Sequence, residues 1–181
     1  MKGLIIFSHN MEDGEALTTR ALLVRAGFEM TSITFQSSKN MTTAFGLNVF
    51  ADQYAFDVSF ADYDFLVIPG GKYVAQIVDQ DQDIKKLVAM FNDQKKLVAA
   101  ICAGPRFLGQ AGILDGKHYT CFTGSEKDMP KGIYHPSVKA IRDQNIITAR
   151  GAGAVYEFVY EIVKYYHGEE KAEFLLKSIL Y

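Results

Sequence analysis

The sequence has few of the residues that mark a specialised class of protein. It contains no Trp, four Pro and only two Cys, Cys102 and Cys121, among 181 residues. Two cysteines form one bridge at most, whereas small secreted folds held by disulfides usually use four or more. The scarcity of cysteine therefore excludes a disulfide framework and favours a reducing, cytoplasmic location.

An excess of charge of one sign and long hydrophobic runs are also lacking. The chain has 19 basic and 21 acidic residues, a net charge of −2, and no basic cluster that could follow a phosphate backbone. Its longest apolar runs, at 65–68 and 97–102, are far shorter than the roughly 20 residues of a membrane span. We therefore expect neither nucleic acid nor a membrane as a partner.

Short apolar runs alternate with longer amphipathic stretches along the chain, an order typical of parallel strands connected by helices. The predicted strands are 4–7, 28–35, 64–68, 96–101 and 145–149. The predicted helices are about 14–26, 73–93, 105–110, 151–167 and 169–180. Because no linker or repeat interrupts this order, we expect one α/β domain over residues 1–181 with a mostly parallel central sheet.

The segment around Cys102 carries the most specific chemical signal. Small residues, Ala100 and Gly104, lie two positions before and after this cysteine at a predicted strand-to-helix junction. That spacing matches the Gly-x-Ser-x-Gly nucleophile elbow, with Cys as the nucleophile. Because free N–H groups and the helix dipole stabilise a thiolate there, we expect Cys102 to be acidic and reactive. The spacing leaves an inert, apolar cysteine open as the alternative.

Residues 97–117 strongly resemble the elbow of the ThiJ/PfpI superfamily. The resemblance extends through 11–27, the segment 66–71 with its Pro-Gly-Gly turn, and the segment 150–158 with its Arg-Gly-x-Gly helix entry. Ala103 after the cysteine is typical of the ThiJ and deglycase branch, since the protease-like branch usually has His there. The resemblance implies a flavodoxin-like three-layer sandwich, with helices on both faces of the sheet, that usually forms a homodimer.

The resemblance also implies the residues of a site. Cys102 matches the family's reactive cysteine, and Glu15 matches the protonated glutamate that hydrogen-bonds its thiolate. A carboxyl buried beside a thiolate has a raised pKa and can donate such a bond. The N–H groups of Gly71 and Ala103, with Gly70 in the same turn, would form a pocket for an oxyanion or an oxidised sulfur.

One family residue is missing from its expected place. Many members of the branch carry a histidine in a Thr-x-His-Pro context, where this chain has Thr120, Cys121 and Phe122. A general base is therefore absent there, and His118 or His135 could substitute for it. Cys121 could form a redox pair with Cys102, and the alternative is that it only fills the core. No Cys-x-x-Cys or helically spaced histidine pair supports a metal site, so we expect no metal and no other cofactor.

Two classes of function follow from these residues. In the first, an enzyme, the Cys102 thiolate adds to the carbonyl of a small reactive aldehyde or a glycated adduct while Glu15 moves a proton, as in glyoxalases and deglycases. In the second, a redox sensor or stress-response protein without turnover, Cys102 is oxidised and the same groups stabilise the product. The missing histidine favours the second class. A binding module with an inert cysteine is a third alternative.

Overall fold

A seven-stranded sheet runs through the molecule, which a computed structural model describes over residues 1–181. The strands of the chain are β1 (Lys2–Ile6), β2 (Glu29–Thr34), β3 (Asn40–Thr42), β4 (Asn48–Phe50), β5 (Gln53–Tyr54), β6 (Phe65–Ile68), β7 (Leu97–Ile101), β8 (His118–Tyr119), β9 (Ile133–Tyr134), β10 (Ala140–Asp143) and β11 (Ile146–Ala149). Their order in the sheet is β10-β11-β7-β6-β1-β2-β5, and only β10 pairs antiparallel. Strands β6, β7 and β11 are buried along their whole length, as parallel strands between two helical layers must be.

Helices cover both faces of this sheet. They are α1 (Thr19–Arg25), α2 (Lys72–Ile77), α3 (Asp83–Asp93), α4 (Pro105–Gln110), α5 (Val155–His167) and α6 (Glu169–Ser178). Helices α1, α5 and α6 pack together, while α3 packs against α4, where Tyr73 of α2 stacks on Phe107 of α4. The predicted three-layer sandwich is confirmed. None of the helices combines the length and the apolar character that crossing a bilayer requires.

Two predicted regions differ from the structure in detail. The helix predicted over 73–93 is divided into α2 and α3, because the Asp81 carboxylate accepts the Ile84 N–H at 2.9 Å and begins a new helix. The unassigned region 117–145 contains the short parallel pair β8–β9 and the edge strand β10. These strands are short or half-exposed, so they leave no apolar run that sequence patterns detect.

The helical spacing of Leu17, Ala21 and Val24 predicts that these residues face the core, but the first helical segment presents a different face. Ala21 and Val24 match the helical period but are exposed, and the buried side chains are Leu22 and Leu23. A five-residue π-helical turn, Gly14–Thr18, precedes α1. Because a π turn is wider than an α turn, a 3.6-residue period carried across it points to the wrong face.

The strand order determines where the functional site lies. Strands β1, β6, β7 and β11 are parallel neighbours, so their carboxyl ends meet at one edge of the sheet. In open α/β sheets this edge is where ligands bind. The segments that follow β1, β6 and β7 carry the predicted residues Glu15, Gly70, Gly71, Cys102 and Ala103.

Candidate functional site

Cys102 follows β7 directly in a sharp turn that its neighbours hold in place. Its φ is 64°, in the left-handed region that non-glycine residues rarely adopt. Its N–H donates to the Ala149 carbonyl at 2.8 Å, and its carbonyl accepts the Phe122 N–H at 2.8 Å. A Cβ at Gly104 would lie 2.6 Å from the Ile68 carbonyl oxygen, which explains the small residue in the turn. The half-buried thiol is thus fixed at the carboxyl edge of the sheet.

Glu15 approaches this thiol from the π-helical turn Gly14–Thr18. The residue is only 1% exposed, and its Oε2 accepts the Gly70 N–H at 2.8 Å. Its carboxyl lies within hydrogen-bonding reach of the Cys102 side chain. π turns often occur at functional sites, and here the turn carries the acidic side chain of the pair.

The Pro-Gly-Gly turn after β6 places a glycine, Gly70, between the Glu15 carboxyl and the Cys102 thiol. Gly71 pairs with Met11 in an isolated antiparallel bridge and has a φ of 123°, which favours glycine. Gly70 is required for a different reason. A Cβ there would lie 2.5 Å from the Cys102 Cβ and 2.6 Å from the Glu15 Oε2. The contact between acid and thiol therefore depends on the missing side chain of Gly70.

Burial changes the protonation of both groups. It raises the pKa of Glu15 from 4.5 to about 7. Burial and the Glu15 carboxylate also raise the pKa of the Cys102 thiol, while the Ala103 N–H that faces the sulfur opposes the rise. The expectation of an acidic Cys102 is therefore wrong, because the six-residue helix α4 does not offset burial beside a carboxylate. The pair carries one negative charge once it ionises, and this charge lies mainly on Glu15, since the pKa of the thiol is raised further than that of the carboxyl.

None of the accessory residues proposed from the sequence hydrogen-bonds the Cys102 thiol. Cys121 is 1% exposed, and burial raises its pKa to about 12. His118 and His135 contact each other, with Nδ1 and Nε2 2.7 Å apart, and no hydrogen bond joins either ring to Cys102. The structure thus brings Cys102 and Glu15 together without a histidine.

A cleft of about 340 Å³ is lined by Cys121 and by segments whose backbone contacts Cys102 and Glu15, although neither of these two residues lines it. Its lining includes Phe122, Arg150 and the glycine-rich segment 151–153, whose Ala152 backbone hydrogen-bonds Glu15. Clefts of this size accept small organic molecules. The position of the Arg-Gly-x-Gly segment after a predicted strand indicates from the sequence that it borders the ligand crevice, but the sequence assigns it no chemical role.

One supporting residue was missed altogether. The Tyr73 hydroxyl donates to the Pro69 carbonyl at 2.7 Å, and the tyrosine is fully buried. The bond anchors the turn that carries Gly70 and Gly71. No sequence signal identifies it, since an aromatic residue in a predicted helix usually indicates only the core.

Comparison with known proteins determines the family. The model of the DJ-1/PfpI family matches residues 1–165. The chain belongs to the DJ-1/PfpI family. The match covers every segment that forms the site, from the π-helical turn to the start of α5, so the ThiJ/PfpI resemblance seen in the sequence is confirmed.

Two relatives and one solved structure are distant in sequence but similar to this chain in length. A glutathione-independent glyoxalase of Caenorhabditis elegans, DJR-1.2, is 28% identical over 177 residues, which are 97% of this chain and 94% of the relative. A deglycase of Pyrococcus abyssi is 29% identical over 165 residues, 91% and 98% of the two chains. The solved structure of oxidised Toxoplasma gondii DJ-1 has a TM-score of 0.92 and 25% identity, covering 99% of this chain and 98% of that one. The flavodoxin-like fold predicted from the resemblance is thereby confirmed.

The contact at Gly70 leads to a first prediction. We expect Gly70→Ala to lower the free energy of unfolding by about 2 kcal/mol, because the added Cβ overlaps both Cys102 and Glu15. Denaturant unfolding measures this loss. Gly153→Ala is the matched control, since a Cβ there meets nothing within 4 Å, and it should change stability by less than about 0.5 kcal/mol. Equal losses in the two variants would contradict the proposed spacing role of Gly70.

The raised pKa of Glu15 leads to a second prediction, in which stability depends on pH. The folded chain holds this proton more tightly than the unfolded chain, so the stabilisation present below pH 4.5 is lost as the pH rises through about 7. Relative to Glu15→Gln, the wild type should lose about 3 kcal/mol of unfolding free energy between pH 4.5 and pH 8. Denaturant unfolding at several pH values measures the difference.

The exposed Glu170 of α6 provides the control for this experiment. The free energy of Glu170→Gln should follow that of the wild type across the same pH range. If instead the wild type and Glu15→Gln differ by a constant amount at every pH, the ionisation of a buried Glu15 is ruled out as the cause.

Proposed function

We propose that this DJ-1/PfpI protein acts on small reactive aldehydes or glycated adducts through Cys102, with Glu15 carrying the proton and without a cofactor. The buried contact of the Glu15 carboxyl with the Cys102 thiol and the Gly70 N–H is the observation that carries the proposal. The names of two relatives, a glyoxalase and a deglycase, point to the same class of substrate.

The reactive form of the pair has the proton on Glu15 and the negative charge on the sulfur. The Cys102 thiolate adds to the aldehyde carbon, forming a C–S bond, and the carbonyl oxygen takes the proton from Glu15. The N–H groups of Gly71 and Ala103 stabilise the charge that develops on that oxygen. The carboxylate left on Glu15 can act as a base near neutral pH, because its pKa is raised to about 7.

With methylglyoxal the complete reaction gives lactate and consumes only water. Glu15 removes the proton from the carbon bonded to sulfur and returns it to the neighbouring ketone carbon, while the hydroxyl proton on the first carbon passes to the ketone oxygen. The first carbon is thereby oxidised to a thioester and the second is reduced to an alcohol. Water hydrolyses the thioester and restores the Cys102 thiol. Because oxidation and reduction occur within one molecule, the proposed reaction needs no external electron acceptor.

Measurement of lactate formed from methylglyoxal tests the proposal. We expect turnover by the wild type, none by Cys102→Ser, and a kcat lowered by about 10²–10⁴ in Glu15→Gln, the usual contribution of a proton-transferring group. Cys121→Ser removes the other thiol and should lose much less activity than Cys102→Ser. Equal rates in the wild type and Cys102→Ser would overturn the proposal.

A second candidate function is redox sensing by Cys102. It is supported by the absence of a histidine contact at this thiol and by the buried Cys121 near the position where the family histidine was expected. Hydrogen peroxide would transfer one oxygen to the sulfur to give a sulfenate, and a second peroxide would give a sulfinate. The Ala103 N–H that faces the sulfur would stabilise either anion.

Mass spectrometry after mild peroxide treatment tests the sensor function. Oxygen should be added to Cys102 before Cys121, because Cys121 is almost completely buried whereas the Cys102 side chain is half-buried and open to peroxide. Equal oxidation of the two residues would contradict selective sensing. Selective oxidation without lactate formation would favour the sensor over the enzyme.

The oligomeric state and the cellular location of the protein are also part of this proposal. A homodimer is supported by exposed aromatic side chains beside the β3–β4 hairpin, with Phe45 76% and Phe50 70% exposed. The hairpin is connected to the site through Asp13, which lies two residues before Glu15. The Thr43 hydroxyl donates a hydrogen bond to the Asp13 carboxylate at 2.6 Å. The cytoplasmic location and the single domain over residues 1–181 stay predictions.

A further inference from the structure

The β8–β9 pair brings together two histidines that are 17 residues apart in the sequence. The Nδ1 of His118 lies 2.7 Å from the Nε2 of His135, and the ring centroids are 5.0 Å apart. We propose that these two side chains form a surface binding site for a divalent transition-metal ion such as Zn²⁺. The aldehyde and redox chemistry proposed for Cys102 uses neither ring, so the metal site is independent of that function.

The contact between the His118 and His135 rings shows that one of the two facing nitrogens carries a lone pair, which a metal ion could bind. One nitrogen must donate a proton and the other must accept it, so at least one imidazole is neutral. Neutral imidazole is the commonest metal ligand in proteins. Two Zn–N bonds of about 2.0–2.1 Å at a tetrahedral angle place the nitrogens about 3.3 Å apart. The rings therefore need to separate by only about 0.6 Å to admit the ion.

The backbone that carries both rings is fixed. The His118 N–H donates to the Asp143 carboxylate at 2.8 Å, and the His135 N–H donates to the Tyr119 carbonyl at 2.9 Å. The adjacent residues Tyr119 and Tyr134 stack with their ring centroids 5.5 Å apart. His118 is exposed and His135 is half-buried, so solvent and a hydrated ion can reach the rings. Ligands on paired strands are positioned in advance, which lowers the cost of binding.

The nature of the ligands selects the kind of ion. No group of three or more His, Cys, Asp or Glu side chains with metal-binding geometry is present, so water would complete the coordination. The Asp143 carboxylate beside His118 is engaged by the His118 N–H and by Lys117, whose Nζ lies 3.9 Å away. Two imidazoles favour Zn²⁺, Cu²⁺ or Ni²⁺ over Mg²⁺ and Ca²⁺, which prefer oxygen ligands.

Calorimetric titration of Zn²⁺ tests the site. The parent protein is Cys102→Ser, because the half-buried thiol could itself bind zinc. We expect one Zn²⁺ per chain and no heat of binding with Mg²⁺. His118→Asn and His135→Asn should each weaken binding at least about tenfold, since loss of a group that merely supports a ligand already costs 10–100-fold. His167→Asn, at the exposed end of α5, is the matched control and should bind like the parent.

The electron paramagnetic resonance spectrum of bound Cu²⁺ gives a second, independent readout. It should show coupling to two nitrogens in the parent and should lose that signature in both histidine variants. Absence of Zn²⁺ binding to the parent, or binding that neither histidine variant changes, would overturn the proposal. A stoichiometry of one ion per two chains would also contradict it, since the two rings belong to one chain. None of these results depends on turnover of an aldehyde.

Discussion

The contact between Glu15 and Cys102 is the constraint on which the rest of the site depends. Both groups become anions when they ionise, and both are largely withdrawn from water, so only one negative charge is tolerated between them. The N–H of Gly70 binds one carboxyl oxygen, and its missing side chain leaves the room in which acid and thiol meet. Any larger residue at this position would separate the two groups whose chemistry depends on their contact.

The sheet topology explains how residues so distant in sequence reach this contact. Strands β1, β6 and β7 are adjacent and parallel, so the segments that follow them emerge at the same edge of the sheet. The bridge between Met11 and Gly71 then fixes the first segment against the second. Burial of Glu15 lowers stability at neutral pH, and the surrounding apolar sheet offsets that cost. The site is thus a locally unfavourable arrangement that a well-packed scaffold holds in place.

How much could be predicted from the sequence depends on the range of the interactions involved. The strands β6 and β7 follow from continuous apolar runs, and the turn at Cys102 follows from the small residues around it, because these signals are local. The protonation of Cys102 could not be predicted, since it depends on burial beside Glu15. The pairing of His118 with His135 was missed for a similar reason, since each lies on or beside a two-residue strand that has no detectable period.

The site lacks the family histidine, so another titratable group must act as the base. Cys121 does not supply the missing base, because a thiol with a pKa of about 12 stays protonated at neutral pH and a neutral thiol is a very weak base. Glu15, with its pKa near 7, can both release and accept a proton under the same conditions. A single carboxyl in contact with the thiol can therefore serve as acid when the C–S bond forms and as base in the following step. Turnover by this site then requires a substrate small enough to bring its carbonyl carbon and the adjacent carbon within reach of the same two oxygens.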